Sequence, residues 1–155
     1  MRSIAFDTSV LVAGLWEGHP HHAHAFPWLQ AVESGAIQGN MTAHALAETW
    51  SVLSRLPIQP MLTGAQAEDM VRAVAALMVV HPITEAEEFK AIARCRETGA
   101  KSGAVYDALH LVTAERAGVR IMVTFNVKDF LRLRSDSPVR LVDPVTHAPE
   151  SVIAV

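Results

Sequence analysis

The chain has 155 residues, 50% of them hydrophobic and 19% charged, which is material for one sizeable core over residues 1–155 rather than for several domains. A formal net charge of −3 and a pI near 6.2 exclude a protein that holds nucleic acid by bulk positive charge, so any phosphate contact is expected to be local. The longest apolar run, AVAALMVV at 73–80, falls well short of the ~20 residues of a membrane span.

Taken in chain order, SIAF (3–6) is a short apolar run that ends at Asp7 and reads as a buried strand. Asp7 also interrupts the apolar N-terminal stretch before an export signal can form. The stretch TSVLVAGLW after it is helical, with Asp7 available as its cap. HPHHAHA supplies His19, His21, His22 and His24; without cysteine partners or finger spacing it reads as a polar loop entering the helix HAFPWLQAVESG, not as a zinc site. AIQGNMT is a weaker strand. The helix TAHALAETWSVLSRL (42–56) starts at Thr42, places Leu46, Trp50, Leu53 and Leu56 on one face, and stops at Pro57. A further helix begins at Thr63, and LMVVHPI is the next strand. TEAEEFKAIARCRETG opens with a Thr84–Glu87 capping box and closes on Gly99. SGAVYDALHLVTAERAG (102–118) is a helix ending at Gly118, VRIMVTF (119–125) a buried strand, and VRLVDP a last short strand. Strands alternating with helices predict a parallel α/β sandwich. The one cysteine, Cys95, can make no internal disulfide and points to a reducing, cytoplasmic setting.

Four acids stand in apolar company. Asp7 and Asp129 follow strands, Glu48 lies mid-helix among Ala, Leu and Trp, and Asp107 falls in the first turns of its helix. Taken singly, Asp7 reads equally as a cap, Asp107 as a complement to the helix dipole and Asp129 as a loop or cap residue. Taken together at the carboxyl ends of parallel strands, they predict a carboxylate site. Converging carboxylates need a cation, and an oxygen-only set suits Mg²⁺ or Mn²⁺ better than zinc. Metal-assisted hydrolysis of a phosphodiester is the chemistry this donor set supports.

The stretches IAFDTSVLVA, AHALAETWSVL, AVYDALHLVTAERAGV and IMVTFNVKDF resemble, in this order, those of the PIN-domain family, and most closely its VapC-type ribonuclease toxins. The resemblance implies a three-layer α/β/α sandwich with a central, mostly parallel sheet. It implies Asp7, Glu48 and Asp107 as a catalytic triad, with Asp7 and Asp107 holding Mg²⁺ or Mn²⁺. Thr8, Ser9 and Thr124 are then the residues that order the site. Many family members carry a fourth acid where this chain has Asn126; others place it as Asp129 stands here, so Asp129 is the fourth catalytic acid and Asn126 a neutral ligand for metal or water. The implied partners are an RNA substrate, a cognate antitoxin and a second copy in a homodimer, with no membrane. Arg94, Arg96, Lys101, Lys128, Arg132 and Arg134 are available to frame a local RNA path, and the histidines to line its groove. Two alternatives stand beside this reading: a catalytically silent PIN scaffold that binds RNA or protein, and a haloacid-dehalogenase-like phosphohydrolase, which needs a second Asp where this chain has Ser9.

Overall fold

The computed structural model describes residues 1–134 and 136–154. The chain runs β1 (Arg2–Phe6), α1 (Thr8–Leu15), α2 (His22–Glu33), β2 (Ile37–Thr42), α3 (Ala43–Ser54), α4 (Gly64–Leu77) and β3 (Val79–His81). It continues through α5 (Glu85–Thr98), α6 (Ala104–Arg116), β4 (Ile121–Val123), α7 (Val127–Arg134), β5 (Arg140–Val142) and α8 (Glu150–Ile153). The five strands form one sheet in the order β3-β2-β1-β4-β5, every pairing parallel. The chain builds outward from β1 to one edge and then returns to build the other, so the order reverses between β1 and β4.

Alternation along β1 creates the layers. Ile4 and Phe6 point to one face, where they join Leu11, Trp28, Ile37 and Met41 under α1 and α2. Ala5 points to the other, where Leu109, Val112, Met122, Phe130 and Leu133 pack under α6 and α7. This is the expected α/β/α sandwich, with both faces of a parallel sheet covered. Gly39 on β2 matters for the first layer, because a Cβ there would lie 2.9 Å from Met78 Cγ and 3.0 Å from Val32 Cγ2. No helix among the described residues is long and apolar enough to cross a membrane.

Several local expectations change. β4 is shorter than VRIMVTF suggests, because the amides of Phe125 and Asn126 turn to side-chain oxygens, Ser9 Oγ at 3.2 Å and Thr124 Oγ1 at 2.9 Å. The Thr84 box is half formed: Thr84 Oγ1 accepts from the Glu87 amide and its hydroxyl donates to Glu87 Oε1 at 3.3 Å, but the buried carboxylate, shared with Arg116 and Thr113, does not take up the Thr84 backbone amide. A complete box forms instead between Thr63 and Gln66. Trp50 leaves its expected apolar face, lying 43% exposed with its indole N–H donating to Gly64 O at 3.1 Å. α2 starts at His22, two residues before the expected helix.

Candidate active site

The reversal in strand order leaves a crevice at the carboxyl ends of β1 and β4. Asp7 follows β1 immediately and caps α1, and Thr124 follows β4 immediately. The Asp7 carboxylate is 2% exposed and fully engaged by its own neighbourhood. Oδ1 accepts from Ser9 Oγ at 2.7 Å and from the Val10 amide at 3.3 Å; Oδ2 accepts from Thr124 Oγ1 at 2.8 Å. Ser9 and Thr124 also accept from the Phe125 and Asn126 amides, so the turn after β4 is tied to the carboxylate through two hydroxyls. Burial pushes the Asp7 carboxyl above its ordinary range, an effect that His110 and these hydrogen bonds offset only in part.

A cleft of about 520 Å³ opens over this point. Asp7, Thr8, Ser9, Glu48, Asp107 and Asn126 line it, together with His19, His21, His110 and Phe125. α3 brings Glu48 into the cleft, where its Oε1 lies 3.1 Å from His44 Nε2 and 3.2 Å from His110 Nε2. Burial works against the Glu48 charge, but the hydrogen bond and charge interaction with His110, aided by His44, outweigh it and hold the carboxyl below its usual value. α6 brings Asp107 and, one turn on, His110. Burial and then the negative charge of Asp7, with smaller contributions from Asp129 and Glu48, push the Asp107 carboxyl up to about 6.

Asp129 does not line the cleft. It sits in the first turn of α7, exposed, with Oδ1 3.3 Å from Arg132, although its charge is felt at Asp107. Asn126, whose carbonyl accepts from the Asp129 and Phe130 amides, does line it. Of the basic residues, Arg94 is committed to Glu115 by two bonds of 2.6 and 3.0 Å and offers nothing to a phosphate. On the opposite wall His21 stacks on Phe125 at 4.9 Å, and burial with His21 and His22 nearby lowers the His19 imidazole pKa. His44 and His110 were not singled out from the sequence; their signal was helical spacing, four residues before Glu48 and three after Asp107.

The donor set fits a hard divalent cation. Its acids are oxygen donors, the negative charge of Asp7 adds to burial in raising the Asp107 carboxyl, and the Thr8 hydroxyl, shielded from solvent, lies beside the Glu48 carboxylate with no well-formed hydrogen bond of its own. Among the described residues no three His, Cys, Asp or Glu side chains are close enough to hold an ion unaided. An ion carried here on one or two carboxylates would keep water ligands, as Mg²⁺ does.

A five-stranded parallel α/β/α sandwich with acids gathered at its topological switch point defines a class of carboxylate-site proteins, and comparison identifies which. Residues 4–135 match the PIN domain family model. Ribonuclease VapC40 of Mycobacterium tuberculosis is 34% identical over 124 residues, covering 77% of this chain and 84% of the relative. The crystal structure of Mycobacterium tuberculosis VapC20, a sarcin-ricin loop-cleaving toxin, superposes with a TM-score of 0.67 at 20% identity, over 83% of this chain and 93% of that one. A chain of a toxin–antitoxin complex from Klebsiella pneumoniae gives 0.62 at 21% identity, over 91% and 97%. The chain belongs to the PIN-domain family, among its VapC-type members.

Proposed function

We propose that the chain is a metal-dependent endoribonuclease, the toxin of a toxin–antitoxin pair, acting in the cytoplasm as a homodimer. The observation that carries this is the convergence of Asp7, Glu48 and Asp107 on one cleft at the strand ends. The VapC-type relatives named ribonucleases support RNA as the substrate, and the likeness to a chain from a toxin–antitoxin complex supports an antitoxin partner. Exposed Phe89 and Ile92, one turn apart on α5, offer apolar surface for pairing with a second copy.

Asp7 and Asp107 would hold Mg²⁺ or Mn²⁺, with Thr8 and Asn126 as neutral oxygen donors. When bound, such an ion neutralises charge developing on the phosphoryl oxygens and makes an adjacent water more acidic. The chain's own residues do the rest. Ser9 and Thr124 hold the Asp7 carboxylate in one orientation. Glu48, kept ionised, accepts a hydrogen bond from the attacking water and orients it. Asn126 and the His19–His21 wall bound the space where the strand lies. Asp129, from the first turn of α7, adds negative charge to the field at Asp107 rather than a ligand in the cleft.

The test is cleavage of RNA by the purified chain with Mn²⁺ or Mg²⁺, abolished by EDTA. Asp7→Asn is expected to lower the rate by about 10²-fold or more, beyond the ~10–100-fold that loss of an outer-shell partner costs. Cleavage undiminished in Asp7→Asn would remove the catalytic assignment and leave an RNA- or protein-binding scaffold.

A further inference from the structure

Glu48 enters the cleft with a histidine on either side. His44 lies one turn earlier on α3 and His110 reaches over from α6; His110 Nε2 hydrogen-bonds Oε1 at 3.2 Å, whereas His44 Nε2, 3.1 Å from the same oxygen, is not aligned for a hydrogen bond and makes a charge contact only. Tyr106, one turn before His110, stacks flat on the His44 ring at 5.1 Å and 12°. Two pairs of residues four apart, 44 with 48 and 106 with 110, therefore interlock between the helices. The hydrogen bond and charge contacts that the histidines make to Glu48 all fall on Oε1, and the Thr8 hydroxyl at the start of α1 is the other polar group close to this carboxylate.

His110 is 4% exposed, and its Nδ1 is buried without a hydrogen-bond partner. An unpaired buried nitrogen costs free energy that a leucine, like the neighbouring Leu109 and Leu111, would avoid. Packing alone therefore gives no reason for imidazole at this position. Its hydrogen bond to Glu48 does.

We propose that His110 is a positioning residue: its Nε2–H anchors Glu48 by Oε1, with His44 and Tyr106 as the opposing jaw, and thereby directs Oε2 into the cleft beside Asp7 and Asp107. A glutamate free to rotate about its side-chain bonds samples many geometries, and holding it in one removes that cost from the reaction. The inference rests on the ribonuclease reading of the cleft.

Glutamine carries an amide nitrogen at about the reach of imidazole Nε2, whereas asparagine matches Nδ1, so the two separate the roles of the ring nitrogens. With a fluorescent RNA and Mn²⁺, His110→Leu and His110→Asn are expected to keep the wild-type KM and lose about 10- to 100-fold in kcat. His110→Leu should melt no lower than wild type, and His110→Gln should recover most of the lost kcat. Independently of turnover, the proton NMR spectrum of the wild type should show a downfield imidazole N–H signal that disappears in both His110→Leu and Glu48→Ala. Undiminished kcat in His110→Leu, equal losses in all three variants in step with melting temperature, or absence of that signal from wild type would each overturn the proposal. A wild-type protein that cuts no RNA with Mn²⁺ would overturn the ribonuclease reading itself, whereas wild-type cleavage with His110→Leu equally active overturns only the positioning role.

Discussion

Asp107 is the acid on which the crowding of charge is most visible, since burial and Asp7 raise its carboxyl to about 6 from an ordinary 3.8. A raised carboxyl favours the folded state while it is protonated, and that advantage is lost as pH climbs from about 4 through about 6. Asp107→Asn should therefore melt higher than wild type at pH 7.5 in the absence of divalent ions, with the gap closing toward pH 4, as followed by thermal melting. Added Mn²⁺ should raise the wild-type melting temperature and reverse the order. The same proton competes with the ion. At subsaturating Mn²⁺ the cleavage rate is expected to fall as pH is lowered through about 6, and a pH–rate series at higher Mn²⁺ should move that limb to lower pH. Glu48, held below its usual value by its histidines, should contribute no limb in that range.

At the scale of elements, the strands and helix starts were legible because their signals are local: apolar runs ending at Asp7 and near Thr124, threonine caps at Thr42, Thr63 and Thr84, and stops at Gly99 and Gly118. What could not be read were choices settled by partners distant in sequence. Glu87 keeps a contact with the Thr84 hydroxyl at its own helix start but shares its carboxylate with Arg116 and Thr113, twenty-six or more positions on. Asp129 is a different case, since its neighbours are local: the Asn126 carbonyl starts α7 and Arg132 stands one turn on, a short helix in a stretch that also reads as a loop. The acid triad was visible as chemistry in apolar company, but the histidine couple on Glu48 was not, since nothing in the sequence says that α3 and α6 face each other across the cleft. Gly39 gives a packing test at this scale. Gly39→Val would push against Val32 and Met78 where α2 meets the sheet, and chemical denaturation should show a loss of about 1–3 kcal/mol.

For the whole molecule, the charge balance constrains how RNA can be held. With a net charge of −3, thirteen Lys and Arg are outnumbered by sixteen Asp and Glu, and Arg94 is tied to Glu115, so phosphate contacts are expected to be local. Binding of single-stranded RNA to the Asp7→Asn variant should weaken with salt at a log–log slope no steeper than about −2, which corresponds to ~3 phosphates. A titration across salt concentrations checks this, and a steeper slope would mean an extended basic track in place of a local one.

The hydrogen bond from Thr124 to Asp7 joins positions 117 residues apart. Growing from its N-terminus at ~5–20 residues per second, a nascent chain carries Asp7 for roughly 6–23 s before Thr124 has even been made. Until then the first carboxylate lacks the hydroxyl that orients it, and β1 lacks its neighbour β4. The order in which the ribosome delivers these residues therefore leaves the crevice at the ends of β1 and β4 unassembled until most of the chain exists.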